Sequence, residues 1–219
     1  MKIPLSIVCL LGVQLGFGQI DTTRILGTFL KFETTSLLPI YTGTSFRFGV
    51  EIKGDKKFGN YFELGYYPNF YGAYHVRGGI ARWEVKRYDR RGQYQESKHH
   101  WNLTYTSLEV FVKSESYNTY DSIRPYPMIE KFYSVSTNLA CLNLQFGTVD
   151  VYTSGIILDT HVGIGLRVKH TTNSLSREEN ENIESSSDYG PNVFTHTAGN
   201  FIYPNLNFGI KIGYWIKKK

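Results

Sequence analysis

The chain has 219 residues, of which 41% are hydrophobic, 20% charged and 16% aromatic, and its formal net charge is +5. This balance excludes a chain that is disordered throughout. The 17 Tyr, 14 Phe and 21 Gly, against only 2 Met, favour strands and tight turns over helices. A mean hydropathy of −0.29, with no long uncharged apolar run after the N-terminus, excludes a helical membrane protein. A membrane β-barrel stays open, because its signal lies in residue alternation.

The first eighteen residues have the organisation of a secretory signal peptide. Lys2 precedes an apolar stretch from Ile3 to Gly16, and the small Gly18 stands before Gln19. A buried N-terminal helix is the alternative, but proline and glycine interrupt the stretch and weaken a helix. We predict a cleaved signal peptide at residues 1–18 and a single domain at residues 19–219.

Cleavage of the predicted signal peptide changes the number of cysteines and the net charge of the chain. Cys9 lies in the predicted leader, so the mature chain keeps Cys141 alone and forms no internal disulfide. Removal of Lys2 lowers the net charge from +5 to +4. This excess is small and dispersed, so we expect no nucleic-acid partner.

Apolar and polar residues alternate with a period of two along most of the mature chain, which predicts β-strands. In 205–216, for example, Phe208 and Ile210 share one face, and Gly209 and Lys211 share the other. Near 139–142 the alternation slips, which indicates a β-bulge. Eight strands are predicted, at about 26–33, 46–53, 61–67, 80–88, 104–113, 139–147, 158–169 and 205–216.

The predicted connections alternate in length. Long loops on one side and short turns on the other are typical of an outer-membrane barrel, whose long loops lie outside the cell. The connection 89–102 does not fit this rule. Within 171–201 the chain is acidic and almost free of apolar residues, which predicts a mobile external loop, with an acidic ligand-binding loop as the alternative. The long connections are 34–43, 68–79, 114–130 and 171–201, and the short ones are 54–57 and 148–155.

Glycine indicates which face of each strand points inward. Gly49, Gly163 and Gly209 share the face of the charged residues, and small residues are needed where eight strands curve around a narrow interior. We therefore predict that the charged face lies inside, as a paired network that fills the ring rather than a wide channel. The predicted interior network contains Lys31, Glu33, Arg47, Glu51, Glu63, Arg82, Glu84, Lys86, Glu109, Lys113, Asp159, His161, Arg167, Lys169 and Lys211.

The apolar face of each strand then faces lipid. A soluble lipocalin-like carrier is the alternative, because its strands also alternate but carry their apolar residues inward. The predicted lipid-facing residues are Leu30, Phe32, Phe46, Phe48, Val50, Leu64, Val110, Leu144, Val162, Ile164, Leu166, Leu206, Phe208, Ile210 and Ile212.

Four segments carry a resemblance to a known family: Phe17–Gln19, Phe46–Glu51, Asp159–Leu166 and Phe208–Tyr214. With them the chain resembles the small eight-stranded outer-membrane β-barrels of gram-negative bacteria, OmpA/OmpX-like in architecture and largely uncharacterised in role. The resemblance implies an all-β, eight-stranded antiparallel up-and-down transmembrane β-barrel in the bacterial outer membrane. Outer-membrane lipids and the barrel assembly machinery are the implied partners, and we expect a monomer. Family barrels usually finish on an aromatic residue, whereas residues 217–219 are three lysines.

The histidines and aromatic residues form no clear catalytic or metal-binding pattern in the sequence. His99 and His100 would point to opposite faces of a strand, so they do not form one metal site. His161, near Asp159 on the inward face, is a candidate general base, but no nucleophile is tied to it by pattern. We predict no catalytic residue, no metal ligand and no cofactor. Aromatic residues near strand ends, such as Trp101 and Trp215, fit interfacial girdles, with a sugar-binding platform as the alternative.

These patterns predict a cellular location and a fold, but they do not predict a specific reaction. We expect a structural role in the bacterial envelope, or an adhesion-like surface interaction through the loops. A lipid-modifying outer-membrane enzyme, a soluble lipocalin-like carrier and a narrow pore are the alternatives.

Overall fold

A computed structural model describes residues 27–37, 45–54, 57–67, 76–89, 100–123, 129–184 and 196–217. The predicted signal peptide lies outside the described residues, and so do the connections 68–75 and 90–99.

The described residues form nine strands, one 3₁₀ helix and one α-helix. None of these helices is long and apolar enough to cross a membrane. The strands are β1 (Gly27–Glu33), β2 (Phe46–Lys53), β3 (Phe58–Tyr67), β4 (Arg77–Tyr88), β5 (His100–Ile123), β6 (Ile129–Tyr152), β7 (Ile156–Asn173), β8 (Ile183–Glu184) and β9 (Gly199–Lys217), and the helices are the 3₁₀ helix Thr34–Leu37 and α1 (Arg177–Glu181).

Eight of the strands close into a ring. β1 to β7 pair in chain order, each antiparallel to the next, and β9 pairs with both β7 and β1. The two-residue β8 lies outside the ring and pairs with the end of β5. The predicted all-β class and the ring of eight antiparallel up-and-down strands are confirmed.

The register around the ring closes with a stagger of ten residues. Paired residues followed from Lys31 on β1 through each strand in turn lead to Tyr203 on β9. Lys31 itself pairs with Gly213 on the same strand, ten residues further along. A stagger of this kind requires strands that tilt relative to the ring axis, and eight such strands leave an interior that side chains fill.

The predicted β-bulge near 139–142 is wrong. Leu139 to Leu142 pair without interruption on both sides of β6. Leu139 and Cys141 point inward, whereas Ala140 and Leu142 point outward. Apolar residues therefore occupy both faces of the strand here, and they hide a regular backbone from an alternation analysis.

β5 and β6 are longer than predicted. The stretch 114–130 was expected to be a loop, yet the β5–β6 pairing continues to Ile123 opposite Ile129. Polar residues occupy both faces in this part, as Ser114, Glu115 and Ser116 show, so hydropathy does not reveal the strand.

Regular structure also occurs within the predicted loop 171–201. β7 continues to Asn173, and β9 begins at Gly199. Ser176 caps α1, because its hydroxyl accepts a hydrogen bond from the Glu179 amide at 3.3 Å while the Glu179 carboxylate accepts one from the Ser176 amide at 2.9 Å. Local hydrogen bonds thus order a segment that has no apolar core of its own. Residues 185–195 lie outside the described residues.

Candidate functional site

Over most of the ring each strand has an ionic or polar face and an apolar face. On β7, Asp159 and His161 point inward with 0% and 6% of their surface exposed. Their strand neighbours Val162 and Ile164 point outward and are 59% and 58% exposed. The polarity of a water-soluble barrel, with its apolar residues gathered inside, is reversed here.

All fifteen residues of the predicted interior network point inward. Twelve of them are buried, and Arg47, Lys113 and Arg167 are half-buried. All fifteen residues predicted to face lipid lie on the outer face. Thirteen of these are exposed, and Phe32 and Leu144 are half-buried.

Six charged side chains meet midway along the interior, and we call them the central cluster. Lys31 Nζ lies 2.5 Å from Glu51 Oε2 and 2.5 Å from Asp159 Oδ2. Lys86 Nζ also contacts Asp159, at 2.6 Å. The remaining pair, Lys211 and Glu84, lies 3.1 Å apart. The cluster thus comprises Lys31, Lys86, Lys211, Glu51, Glu84 and Asp159.

The central cluster is electrically balanced, and this balance stabilises it. Burial of an ion costs several kcal/mol, which attraction offsets only when the ions are paired and hydrogen-bonded. All six side chains are completely enclosed. Tyr105 donates a hydrogen bond to Asp159 Oδ1 at 2.8 Å, and Tyr88 donates one to Glu51. Tyrosine hydroxyls therefore satisfy carboxylate oxygens that the lysines leave available.

A second group, the arginine cluster, lies on the loop side of the first. The Arg82 guanidinium lies 3.2 Å from Glu33, 3.0 Å from Glu109 and 3.6 Å from Glu63. Three carboxylates thus face one guanidinium. Neutral side chains add donors: Asn143 and Gln145 each donate to Glu109 at 2.6 Å, and Tyr61 donates to Glu63 at 2.5 Å.

Apolar side chains fill the end of the ring that carries the short turns, and we call them the aromatic plug. Phe29 and Trp215 stack with ring centroids 6.3 Å apart, and Trp101 meets Trp215 edge-on at 6.0 Å. Trp215 and Trp101, which the sequence assigned to a membrane girdle, are inside instead, since they are in phase with the inward residues of β9 and β5. The plug comprises Phe29, Tyr88, Leu103, Tyr105, Val149, Val151, Ile157 and Trp215, with Trp101 packed against it.

The inward tyrosines were not predicted from the sequence. Tyr61 and Tyr105 lie on the charged faces of their strands, two and four residues from Glu63 and Glu109. Each uses space left by a glycine, because a Cβ atom on Gly49 would collide with the Tyr61 ring. A tyrosine in phase with acids, opposite a glycine, is the signal that would have found them.

The geometry does not assemble a catalytic pair around His161. Asp159 is engaged by Lys31 and Lys86, and His161 Nδ1 has no hydrogen-bond partner among the described residues. In the same part of the chain, no group of three or more His, Cys, Asp or Glu residues is arranged to hold a metal ion.

Comparisons with known proteins add no identification. No protein-family model, no curated protein and no solved structure matches the chain.

Proposed function

We propose that the protein is an eight-stranded outer-membrane β-barrel of a gram-negative envelope, exported by its N-terminal signal peptide and inserted as a monomer by the barrel assembly machinery. The observation that carries this proposal is the reversed polarity of the ring. A wall that presents leucine, isoleucine, valine and phenylalanine outward and encloses paired ions suits hydrocarbon rather than water as its surroundings.

The outward apolar band has the height of a bilayer core. On β6 it is bounded by Thr148 and Asn138, ten positions apart, whereas on β7 it ends at His170 on the loop side and continues past Thr160 to Leu158 and Ile156 on the other side. Ten residues that rise about 3.3 Å each and tilt by about 45° cover about 23 Å, close to the apolar band of about 25 Å that outer-membrane barrels have. The outward apolar residues of the band are Ala140, Leu142, Leu144 and Phe146 on β6, and Ile156, Leu158, Val162, Ile164, Leu166 and Val168 on β7.

Beyond this band the ends of β5 and β6 form a protruding hairpin, residues 117–123 and 129–134. β4 pairs with β5 only as far as Ser116, and β7 pairs with β6 only from Val135. Tyr120 and Phe132 pack on its outer face with ring centroids 4.6 Å apart, and both are about half exposed (56% and 48%). An ordered projection with an aromatic surface supports an adhesion-like or other surface-interaction role, for which the barrel is the anchor.

Each alternative function requires a feature that can be compared with the described interior. A soluble lipocalin-like carrier needs an apolar cavity, whereas the described interior is filled with ions and tyrosines. A narrow pore needs a water path, whereas the central cluster fills the middle of the described interior and the aromatic plug fills its short-turn end. A lipid-modifying enzyme requires a nucleophile beside His161, and His161→Ala with an unchanged lipid profile would remove that candidate.

The test is cell fractionation of the full chain expressed in a gram-negative host, followed by detergent extraction and electrophoresis with and without boiling. We expect the protein in the outer-membrane fraction, with a folded form that migrates differently until boiled. Recovery of a freely soluble periplasmic or secreted protein would contradict the proposal.

A further inference from the structure

The outer face of the protruding hairpin carries one aromatic row between polar rows. Tyr120 and Phe132 lie directly opposite each other in the β5–β6 register, and we call them the aromatic pair. The outward residues in the rows on either side are polar: Asn118 opposite Ser134 nearer the ring of strands, and Ser122 opposite Glu130 nearer the tip. Ser134 donates a hydrogen bond to Asn118 Oδ1 at 3.0 Å. The two exposed rings are therefore bordered on both sides by hydrogen-bonding groups.

The inner face of the same hairpin is already occupied. Thr119 and Tyr133 point inward there and are buried. Lys131, also on the inner face, forms an ion pair with Glu179 of α1. A partner of the hairpin therefore meets its outer face, on which the aromatic pair lies.

The aromatic pair lies above the level of a lipid bilayer. It is six residues beyond Asn138 on β6, where the outward apolar band ends, and six beyond Ser114 on β5. Six residues that rise about 3.3 Å each and tilt by about 45° cover about 14 Å, whereas the headgroup layer is roughly 5–8 Å thick on each side of the hydrocarbon core. This step rests on the proposed function, and it excludes an interfacial girdle for these two rings.

Area and charge indicate the chemistry of the partner. Two half-exposed rings offer on the order of 200 Å² of aromatic surface, far below the roughly 800 Å² per partner of a stable protein interface. Glu130 is the only charged residue among the described outward residues of the hairpin, so this face has no cation for an anionic ligand. Hydroxyl, amide and carboxylate groups beside the rings suit a neutral ligand that is rich in hydroxyl groups.

We propose that the aromatic pair binds a neutral polysaccharide through successive sugar rings. The C–H groups on the face of a β-linked glucose unit carry partial positive charge, which the negative face of an aromatic ring attracts. The planes of Tyr120 and Phe132 are inclined at 42°, so a rigid flat ligand contacts only one of them, whereas two linked sugar rings contact both. Asn118, Ser134 and Glu130 would exchange hydrogen bonds with the sugar hydroxyls. The proposal deepens the surface-interaction role by naming the class of its partner.

The test is calorimetric titration of cellohexaose and of chitohexaose, neutral β-linked hexamers of glucose and of N-acetylglucosamine, into the full chain folded in zwitterionic detergent micelles. We expect saturable binding of at least one hexamer, little changed by sodium chloride because neither is charged. Tyr120→Leu and Phe132→Leu keep an apolar side chain but remove a ring, and each should weaken binding about tenfold or more. The matched control is Phe62→Leu, which removes one ring of the similarly exposed Phe62–Trp83 pair on the lipid-facing wall and should change binding less than about twofold.

Each variant is first checked for the folded band on an unboiled gel, and Phe132→Trp, which keeps an aromatic face, should retain binding. Absence of saturable binding of both hexamers to the unaltered chain, undiminished binding by the two leucine variants, or equal weakening by Phe62→Leu would overturn the proposal. So would a dimer of the unaltered chain in analytical ultracentrifugation that Phe132→Leu dissociates, because the aromatic pair would then belong to a protein interface. A chain that fractionates with the outer membrane and binds neither hexamer contradicts this inference alone, whereas a freely soluble chain contradicts the proposed function.

Discussion

The two ends of the ring are stabilised by different interactions. At the short-turn end and midway along the axis, every described cation of the central cluster has a carboxylate within about ion-pair distance, and aromatic rings exclude water beneath it. At the loop-side end, strands β5 and β6 carry polar residues on both faces and continue beyond the ends of the β4 and β7 pairings, where β8 pairs with the end of β5. The first region depends on pairing and enclosure, and the second on hydrogen bonds that water can replace. Substitutions should therefore have large effects in the first region and small effects in the second.

The largest effect is expected for Lys31→Met. This change leaves Glu51 and Asp159 with less compensation in an enclosed site, and the loss of one partner of a buried ion pair costs about 3–5 kcal/mol. The measurement is the free energy of unfolding in urea with the chain in lipid vesicles. Lys131→Met is the control, because Lys131 pairs with Glu179 at the surface and its loss should cost about 1 kcal/mol or less. Similar losses for the two variants would erase the contrast between the regions.

A somewhat smaller effect is expected from a charge placed on the lipid-facing wall. Val162 lies near the middle of the apolar band, so Val162→Arg should lower the free energy of unfolding in vesicles by about 2–4 kcal/mol. Ser116→Arg places the same side chain on the outer face of β5 above the band and should have an effect near zero. If Val162→Arg were as stable as Ser116→Arg, the outer wall would not be in contact with hydrocarbon.

Glycine-to-alanine substitutions should lower the stability of the protein where the glycine is enclosed and have little effect where it is open. Gly49→Ala brings a Cβ atom into the Tyr61 ring, and overpacking of this kind costs about 1–3 kcal/mol. Gly54→Ala is the matched control, because nothing lies within 4 Å of its added Cβ. Combining Gly49→Ala with Tyr61→Leu should recover part of the loss that the two single changes would add up to. Strict additivity in this double-mutant cycle would show that the ring and the glycine are not in contact.

The smallest effect concerns acid titration at the surface. A hydrogen bond from Lys131, with two from Ser176, lowers the pKa of Glu179 to about 2 from an ordinary 4.5. A depressed pKa means that this contribution to folding is complete above about pH 4.5 and is lost as the pH falls through about 2. Carbon-13 titration of the carboxylate should show the low pKa, and Lys131→Met should raise it towards 4.5. Arg177→Met, which affects the neighbouring Glu181 pair, should not change it.

Alternation predicted the strands wherever one face is polar and the other apolar. β7 is such a strand, because Asp159, His161 and Gly163 oppose Val162 and Ile164. Alternation placed the charged residues on one face of each strand, and the glycines on that face predicted that it lies inside. Alternation did not predict regular strands where both faces are polar, as in the protruding hairpin, or where both faces are apolar, as in 139–142.

Alternation also could not show which charges meet. Lys31 and Asp159 are 128 positions apart in the chain, and only the register across the closed ring brings them to 2.5 Å. The placement of Trp215 inside rather than in a girdle follows from its phase on β9, a signal weaker than the general preference of tryptophan for membrane interfaces.

The most direct measurement uses the three native tryptophans as reporters of the two faces. Trp83 is 48% exposed on the outer wall, whereas Trp215 is 5% exposed in the aromatic plug. In single-tryptophan variants, with phenylalanine at the other two positions, lipids brominated near the middle of their acyl chains should strongly quench the fluorescence of Trp83 and barely that of Trp215. If Trp83 were insensitive to brominated lipid but quenched by iodide from the water, the outer wall would not lie in a bilayer and the account would be contradicted.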